Sequence, residues 1–262
     1  MRALAGKSKT LVLELRRRKM TTDELGRRIW VDEAPMERVP AAAAAVVVCD
    51  VWDRHWSKGA AQRIDILAPR IDGFCERMRR AGVLIVHAPS GTMKAYDESP
   101  ARTRVAGDGK PLPIPVSLEL PPLPVSCNNG GSDTVDELPA DSIVWTCQHS
   151  AIRIDEERDV ITGDGGELAA YLWAQRRTTV FVTGVHTNLC VLQRSFGLAA
   201  LQGYGFTAVL VSDLTDAMYD PADPPYVDHD IGTRLVVGYI EAFVAPSTQS
   251  DRIVVLDADL RK

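Results

Sequence analysis

One cysteine in this sequence is placed where a nucleophile would sit, at the point where an apolar run ends and a helical pattern begins. Thr179 to Cys190 reads T-V-F-V-T-G-V-H-T-N-L-C. The β-branched and aromatic run from Thr179 to Thr183 predicts a buried strand, and Gly184 breaks it. Leu189, Leu192, Phe196, Ala199 and Ala200 then recur at helical spacing up to Leu201. A thiol in the first turn of a helix meets the positive end of the macrodipole and unpaired N–H groups, which lower its pKa. The same N–H groups stabilise an oxyanion. The chemistry expected of Cys190 is attack on an acyl carbon; the alternative is a buried apolar thiol.

Candidate partners fall at the ends of two other apolar runs. Ala42 to Cys49 ends in V-V-V-C and is followed by Asp50; Val83 to Val86 is followed by His87. Asp50 can act as a general base, taking the thiol proton and returning it to a leaving amine. It equally suits a turn cap. The next stretch, V-W-D-R-H-W, gathers Trp52, Asp53, Arg54, His55 and Trp56. Its D-x-H supplies metal-donor types but also fits surface polar residues. Its indoles suit stacking on a planar substrate or plain packing. Cys147 is a candidate redox partner for Cys190, or an interior thiol.

The elements that must position these residues alternate along the chain. Ile64, Leu67, Ile71, Phe74 and Met78 mark an amphipathic helix that Gly82 caps. Strand, helix and strand within 42–86 make a βαβ unit, hence a parallel sheet with a right-handed crossover. Helices over 167–175 and 231–243, a strand over 206–211, strand-like alternation over 142–145 and a short last strand over 252–256 bring the count to five or six parallel strands. In such sheets ligands bind beyond the carboxyl ends of the strands, where Asp50, His87 and Cys190 all fall. The proline-rich 89–142 segment predicts a functional loop or lid. Residues 1–40 are charged and irregular apart from Thr10 to Leu15, and predict an arm against the domain or a neighbouring subunit.

Composition excludes several classes. With 262 residues, 45% of them hydrophobic, the chain suits one large domain. A net charge of -5 argues against nucleic acid, and Arg16 to Lys19 is too short a basic run to reverse that. Five cysteines without a C-x-x-C argue against a disulfide framework or a cysteine-rich zinc site. No signal peptide is evident, and the apolar run Ala41 to Val48 is far too short to span a membrane. A soluble cytoplasmic protein is expected.

V-V-V-C-D with its strand-end Asp50, S-A-I at Ser150 to Ile152, and V-T-G-V-H-T-N-L-C-V at Val182 to Val191 together resemble the isochorismatase-like cysteine hydrolase superfamily, which includes nicotinamidases and carbamoyl-amide hydrolases. The most specific element is G-x-x-T-x-x-C at Gly184, Thr187 and Cys190. The resemblance implies a three-layer α/β/α fold with a six-stranded, mostly parallel sheet over 42–246, carrying a loop insertion at 89–142. Residues 1–41 would be an N-terminal extension and 247–262 a tail. It implies hydrolysis of a small amide or related C–N bond through a covalent acyl-enzyme, with Asp50 activating Cys190. A cis peptide joining Val185 and His186 would aim the N–H groups of His186 and Cys190 at the oxyanion. Trp52, His55, His87 and Thr187 are expected to line the substrate pocket. A homo-oligomer is expected.

One departure stands out. The family's third catalytic residue is a Lys four places before the S-A-[FI] serine, and here that place is Thr146. A hydroxyl cannot supply an ammonium charge; Lys94 and Arg54 are the cations considered as substitutes. Thr146 therefore keeps a second reading open, a degenerate member that binds a small metabolite or partner without hydrolysis. Nicotinamidases hold zinc through an Asp and two His. Asp53, His55 and His87 are the right types, but D-R-H follows the first strand instead of the second, so no cofactor is expected and zinc is the metal to test.

Overall fold

The computed structural model describes residues 8–107 and 110–257. The opening M-R-A-L-A-G-K and the 258–262 end of the expected tail lie outside them. Six strands form one parallel sheet, in the order Ser247–Thr248, Thr207–Asp216, Thr179–Val185, Ala44–Cys49, Leu84–Ala88 and Val160–Ile161. At its centre are β5 (Ala44–Cys49) and β8 (Thr179–Val185), every residue of which is buried. β6 (Leu84–Ala88) and β9 (Thr207–Asp216) flank them; β7 (Val160–Ile161) and β10 (Ser247–Thr248) are two-residue edges. Short edges limit pairing with other chains. The expected tail boundary at 246 cuts off β10, which belongs to the sheet.

The Val, Ala and Ile side chains alternate between two apolar layers. Val46, Val48 and Ile85 face α1 (Lys58–Ala81) through Ile64, Leu67, Ile71 and Met78. Ala45, Val47 and Val86 face α3 (Gly165–Ala174), α5 (Leu198–Gly203) and α6 (His229–Phe243) through Leu168, Leu172, Leu201 and Ile240. The fold is thus the three-layer α/β/α arrangement expected, with all six strands parallel. Gly184 is required where β8 passes β5. Its φ is +106°, and a Cβ there would meet the Cys49 carbonyl oxygen at 2.0 Å.

Three segments differ from expectation. The arm is strand-built. β1 (Lys9–Glu14) pairs antiparallel with both β4 (Met36–Pro40) and β11 (Val254–Asp257), and β2 (Arg17–Thr22) forms a hairpin with β3 (Arg28–Glu33). β3 is exposed along its whole length and β2 along most of it, so burial imposes no apolar alternation and the usual strand signal is missing. The helix expected over 189–201 is split into α4 (Cys190–Gln193) and α5. Gly197 allows the chain to fold back between them, since a Cβ there would lie 2.8 Å from the Cys190 and Val191 carbonyl oxygens. The 89–142 loop contains α2 (Pro100–Ala106), and 142–145 is not a strand. That loop is fastened to the open N–H groups of α1: Lys58 N donates to Asp136 Oδ1 at 2.8 Å and Gly59 N to Thr134 Oγ1 at 3.1 Å.

Candidate active site

The carboxyl ends of β5 and β8 lie side by side, because Cys49 pairs with Gly184. Each chain turns sharply there. Asp50 takes φ +48°, a left-handed conformation that Asp tolerates better than most residues. Val185 and His186 are joined by a cis peptide. The turn after it is held from both sides. Thr187 N donates to the Asp216 carbonyl at 2.8 Å, and Thr187 Oγ1 meets Thr215 Oγ1 at 2.8 Å. Asn188 donates to the Met218 carbonyl and accepts from Met218 N, at 2.8 and 2.9 Å. Leu189 N and Val191 N both donate to the His186 carbonyl. Among the described residues no acceptor takes the N–H of His186 or of Cys190.

This geometry brings Asp50 and Cys190 together. Asp50 is fully buried. Its Oδ1 accepts from Ser90 N at 2.7 Å, and its Oδ2 from Arg194 Nε at 3.1 Å. The charges of Asp50 and Arg194 both act on the Cys190 thiol, the first raising its proton affinity and the second lowering it. Arg194 was not anticipated from sequence. The helical expectation over 189–201 gave no reason to single it out, although its signal was present: it stands four residues after Cys190, one helical turn away. Its N–H donates to the Cys190 carbonyl at 3.0 Å, so the turn holds although α4 ends at Gln193. A cavity of about 280 Å³ opens here, lined by Leu189, Cys190, Gln193 and Arg194.

The proton affinities follow from this packing. Burial raises the Asp50 pKa, and the Arg194 charge and hydrogen bonds from Cys190 and Ser90 only partly oppose it. Burial, reinforced by the Asp50 charge, pushes the Cys190 thiol up to about 12. This reverses the expected lowering. A helix of four residues has little macrodipole to offer, and the neighbouring carboxylate disfavours a second negative charge. At pH 7 the thiol therefore keeps its proton, and a base within contact must remove it.

The remaining expected residues occupy different places. Thr146 is exposed; its N–H and hydroxyl both bind the Asp53 carboxylate, at 2.8 and 2.6 Å. The cations considered as substitutes, Arg54 and Lys94, are not the ones that meet Asp50: Arg54 faces Asp53 at 3.9 Å, and Arg194 holds the Asp50 contact. Trp52 is stacked on Trp145, with centroids 4.2 Å apart, and its Nε1 donates to the Ser90 carbonyl at 3.0 Å. It thereby fixes the residue that holds Asp50 instead of offering a free face. His55 accepts from Ser57 N at its Nδ1, so its Nε2–H donates to His186 Nε2 at 3.2 Å. Burial lowers His55 to about 4 and His186 to about 3, so this pair is neutral at pH 7. His87 is fully buried, with Nδ1 2.9 Å from Gln148 Oε1 and Nε2 3.1 Å from Asp159 Oδ2. Thr187 is consumed in anchoring the turn. The zinc donor types are dispersed: Asp53 binds Thr146, His55 faces His186 and His87 faces Asp159. Among the described residues no three His, Cys, Asp or Glu converge as a metal would require, so these residues do not fit a zinc ion.

No family model and no curated protein matches this sequence. Solved structures do. A cysteine hydrolase from Pseudomonas syringae pv. phaseolicola 1448A aligns over 81% of this chain and 91% of its own, at 18% identity and TM-score 0.50. An isochorismatase from Pseudomonas putida KT2440 aligns over 82% and 91%, at 13% identity and TM-score 0.49. A pyrazinamidase of Pyrococcus horikoshii, solved in complex with zinc, aligns over 79% and 99%, at 18% identity and TM-score 0.43. The first of these is a likeness of fold: this chain has the isochorismatase-like α/β architecture of the P. syringae cysteine hydrolase.

Proposed function

We propose that this protein is a cysteine hydrolase that cleaves a small amide or related C–N bond through an acyl-enzyme. The observation that carries this reading is that the paired ends of β5 and β8 set a fully buried carboxylate, Asp50, beside the turn that carries Cys190, whose thiol lines a small cavity. As Cys190 Sγ bonds to the acyl carbon, the carbonyl π pair moves onto oxygen and the thiol proton passes to Asp50. The His186 and Cys190 N–H groups are free to receive the oxyanion. Asp50 then delivers its proton to the leaving nitrogen as the C–N bond breaks. Water attacks the thioester and gives a proton to Asp50; as the tetrahedral intermediate collapses the S–C bond breaks, the acid is released, and Asp50 returns that proton to the Cys190 sulfur.

Arg194 bears on the degenerate, non-hydrolytic alternative. That alternative rests on the loss of the family's cation at Thr146, and Arg194 supplies a permanent positive charge to Asp50 from another direction. The test is ammonia release from a panel of small primary amides, with intact-mass detection of an acyl group on Cys190. Cys190→Ala and Asp50→Asn should fold and release none. An amide that shields Cys190 from alkylation without being consumed would favour the binding reading. We also place subunit contacts on the β2–β3 hairpin, which leaves Met20, Ile29, Trp30 and Val31 exposed. A monomer by light scattering would refute that assignment.

A further inference from the structure

Arg194 makes more contact with the cavity than holding Asp50 requires. Asp50 is fully buried, whereas the Arg194 side chain is 43% exposed, so the guanidinium reaches from the buried base to the open cavity. Only Nε is directed at Asp50, at 3.1 Å. The four residues that line the cavity include this one cation and no acid. We propose that the substrate of this site carries a carboxylate, bound by the outer edge of the Arg194 guanidinium while the inner edge holds Asp50. The inference rests on Cys190 being the nucleophile of the same cavity.

Three physical points support it. A planar guanidinium presents paired donors that match a carboxylate, which an ammonium does not. Residues one turn apart have Cβ atoms about 5–6 Å apart, so a carboxylate held at Arg194 lies only a few bonds from an acyl carbon at Cys190. The cavity volume of about 280 Å³ suits a molecule of that size. The reaction also shifts the charge in a useful direction. When the thiol proton moves to Asp50, Arg194 loses its negative partner; the His186 and Cys190 N–H groups take the oxyanion, and the guanidinium charge is left to the substrate carboxylate. The pairing thus strengthens between ground state and transition state, which is the kind of binding that accelerates a reaction.

Iodoacetate and iodoacetamide test this directly, because they are nearly isosteric alkylating agents of which only the first is an anion. Second-order rates at each cysteine are read by peptide mass spectrometry, with the half-buried Cys127 and Cys147 as controls in the same molecule. The iodoacetate-to-iodoacetamide ratio at Cys190 should exceed the control ratio by about tenfold at low salt. It should fall toward the controls as salt screens the attraction. Arg194→Gln should bring it to or below the control value, since Asp50 then repels the anion unopposed, and Arg194→Lys should restore part of it. The salt series on the unaltered protein decides the question even where a variant fails to fold. Rapid iodoacetamide labelling of Cys190 with no carboxylate preference would overturn this inference and leave the hydrolase reading intact. Failure of both reagents to label Cys190 would overturn both.

Discussion

Asp50 and Asp159 are both buried carboxylates that face an arginine, yet folding moves their proton affinities in opposite directions. Asp159 accepts from Arg79 Nε at 3.0 Å, Arg79 Nη2 at 2.7 Å, His87 Nε2 at 3.1 Å and Asp155 N at 2.8 Å. Burial raises its pKa, but hydrogen bonds from His87 and Arg79 and the attendant charges more than reverse that and hold it at about 2. Asp50 has one backbone donor and one guanidinium nitrogen besides the thiol, so burial stays ahead and its pKa is raised. A buried carboxylate supplied with donors on every side is a structural anion. One left short of donors is a base. The two arginines differ in the same sense: the Arg79 side chain is 3% exposed and that of Arg194 is 43% exposed.

The largest effect that would break this comparison is on turnover. Cys190→Ala or Asp50→Asn should lower amide hydrolysis by at least about 10³-fold, while the unfolding free energy of Asp50→Asn from urea titration stays within about 1 kcal/mol of the parent because a half-exposed Arg194 can be hydrated. Asp159→Asn should do the reverse. It should cost about 3–5 kcal/mol, because the buried Arg79 would lose its buried carboxylate and keep only the partly exposed Glu76 at 3.2 Å as an anion, and it should leave kcat of the remaining folded protein nearly unchanged. A stable Asp159→Asn variant, or an Asp50→Asn variant that unfolds, would erase the distinction.

Acid titration sharpens it further, because the two groups contribute with opposite sign. Asp159, depressed from its ordinary 3.8 to about 2, adds stability that is complete above about pH 4 and is lost as the pH falls toward about 2. Asp50, raised from 3.8, holds its proton more tightly folded than unfolded, so its contribution weakens as the pH climbs above 3.8. Unfolding free energy followed from pH 7 to pH 2 should therefore drop less steeply in Asp159→Asn than in the parent. Asp50→Asn should gain relative to the parent as the pH rises from 4 to 7. Parallel curves for all three proteins would contradict the assignment.

How much of this was legible in the sequence depends on what kind of signal each residue leaves. β5, β8 and α1 were legible because burial imposes a pattern: V-V-V-C and V-F-V-T are covered on both faces, and Ile64, Leu67 and Ile71 repeat at one turn of a helix. The strand-end positions of Asp50 and Cys190 followed from those runs. Their proton affinities did not, because the thiol depends on a carboxylate from another strand and on a helix only four residues long. The pairing of His87 with Asp159 leaves no trace in the sequence, since Asp159 comes from a stretch without periodicity, far along the chain. Arg194 stands one helical turn after Cys190, which is a visible spacing, but its pairing with Asp50 joins residues far apart in the chain and leaves no local pattern.

Thr146 supplies the smallest effect and the finest test of where the positive charge in this site resides. Its side chain is committed to Asp53 through a 2.6 Å hydrogen bond, and Asp53 also accepts from the backbone of Thr146 and Cys147. Removing the hydroxyl deletes one exposed contact and leaves the two backbone ones. Thr146→Ala should therefore cost about 0.5–1.5 kcal/mol in stability and change kcat/KM less than about threefold, within the range of an indirect packing effect. Arg194→Gln should act far more strongly on the same assay, since it strips the base of its only cationic partner among the described residues. If the order were reversed, with Thr146→Ala the more damaging of the two, the position four residues before Ser150 would still be the catalytic one, and the cation at Arg194 would belong to the scaffold.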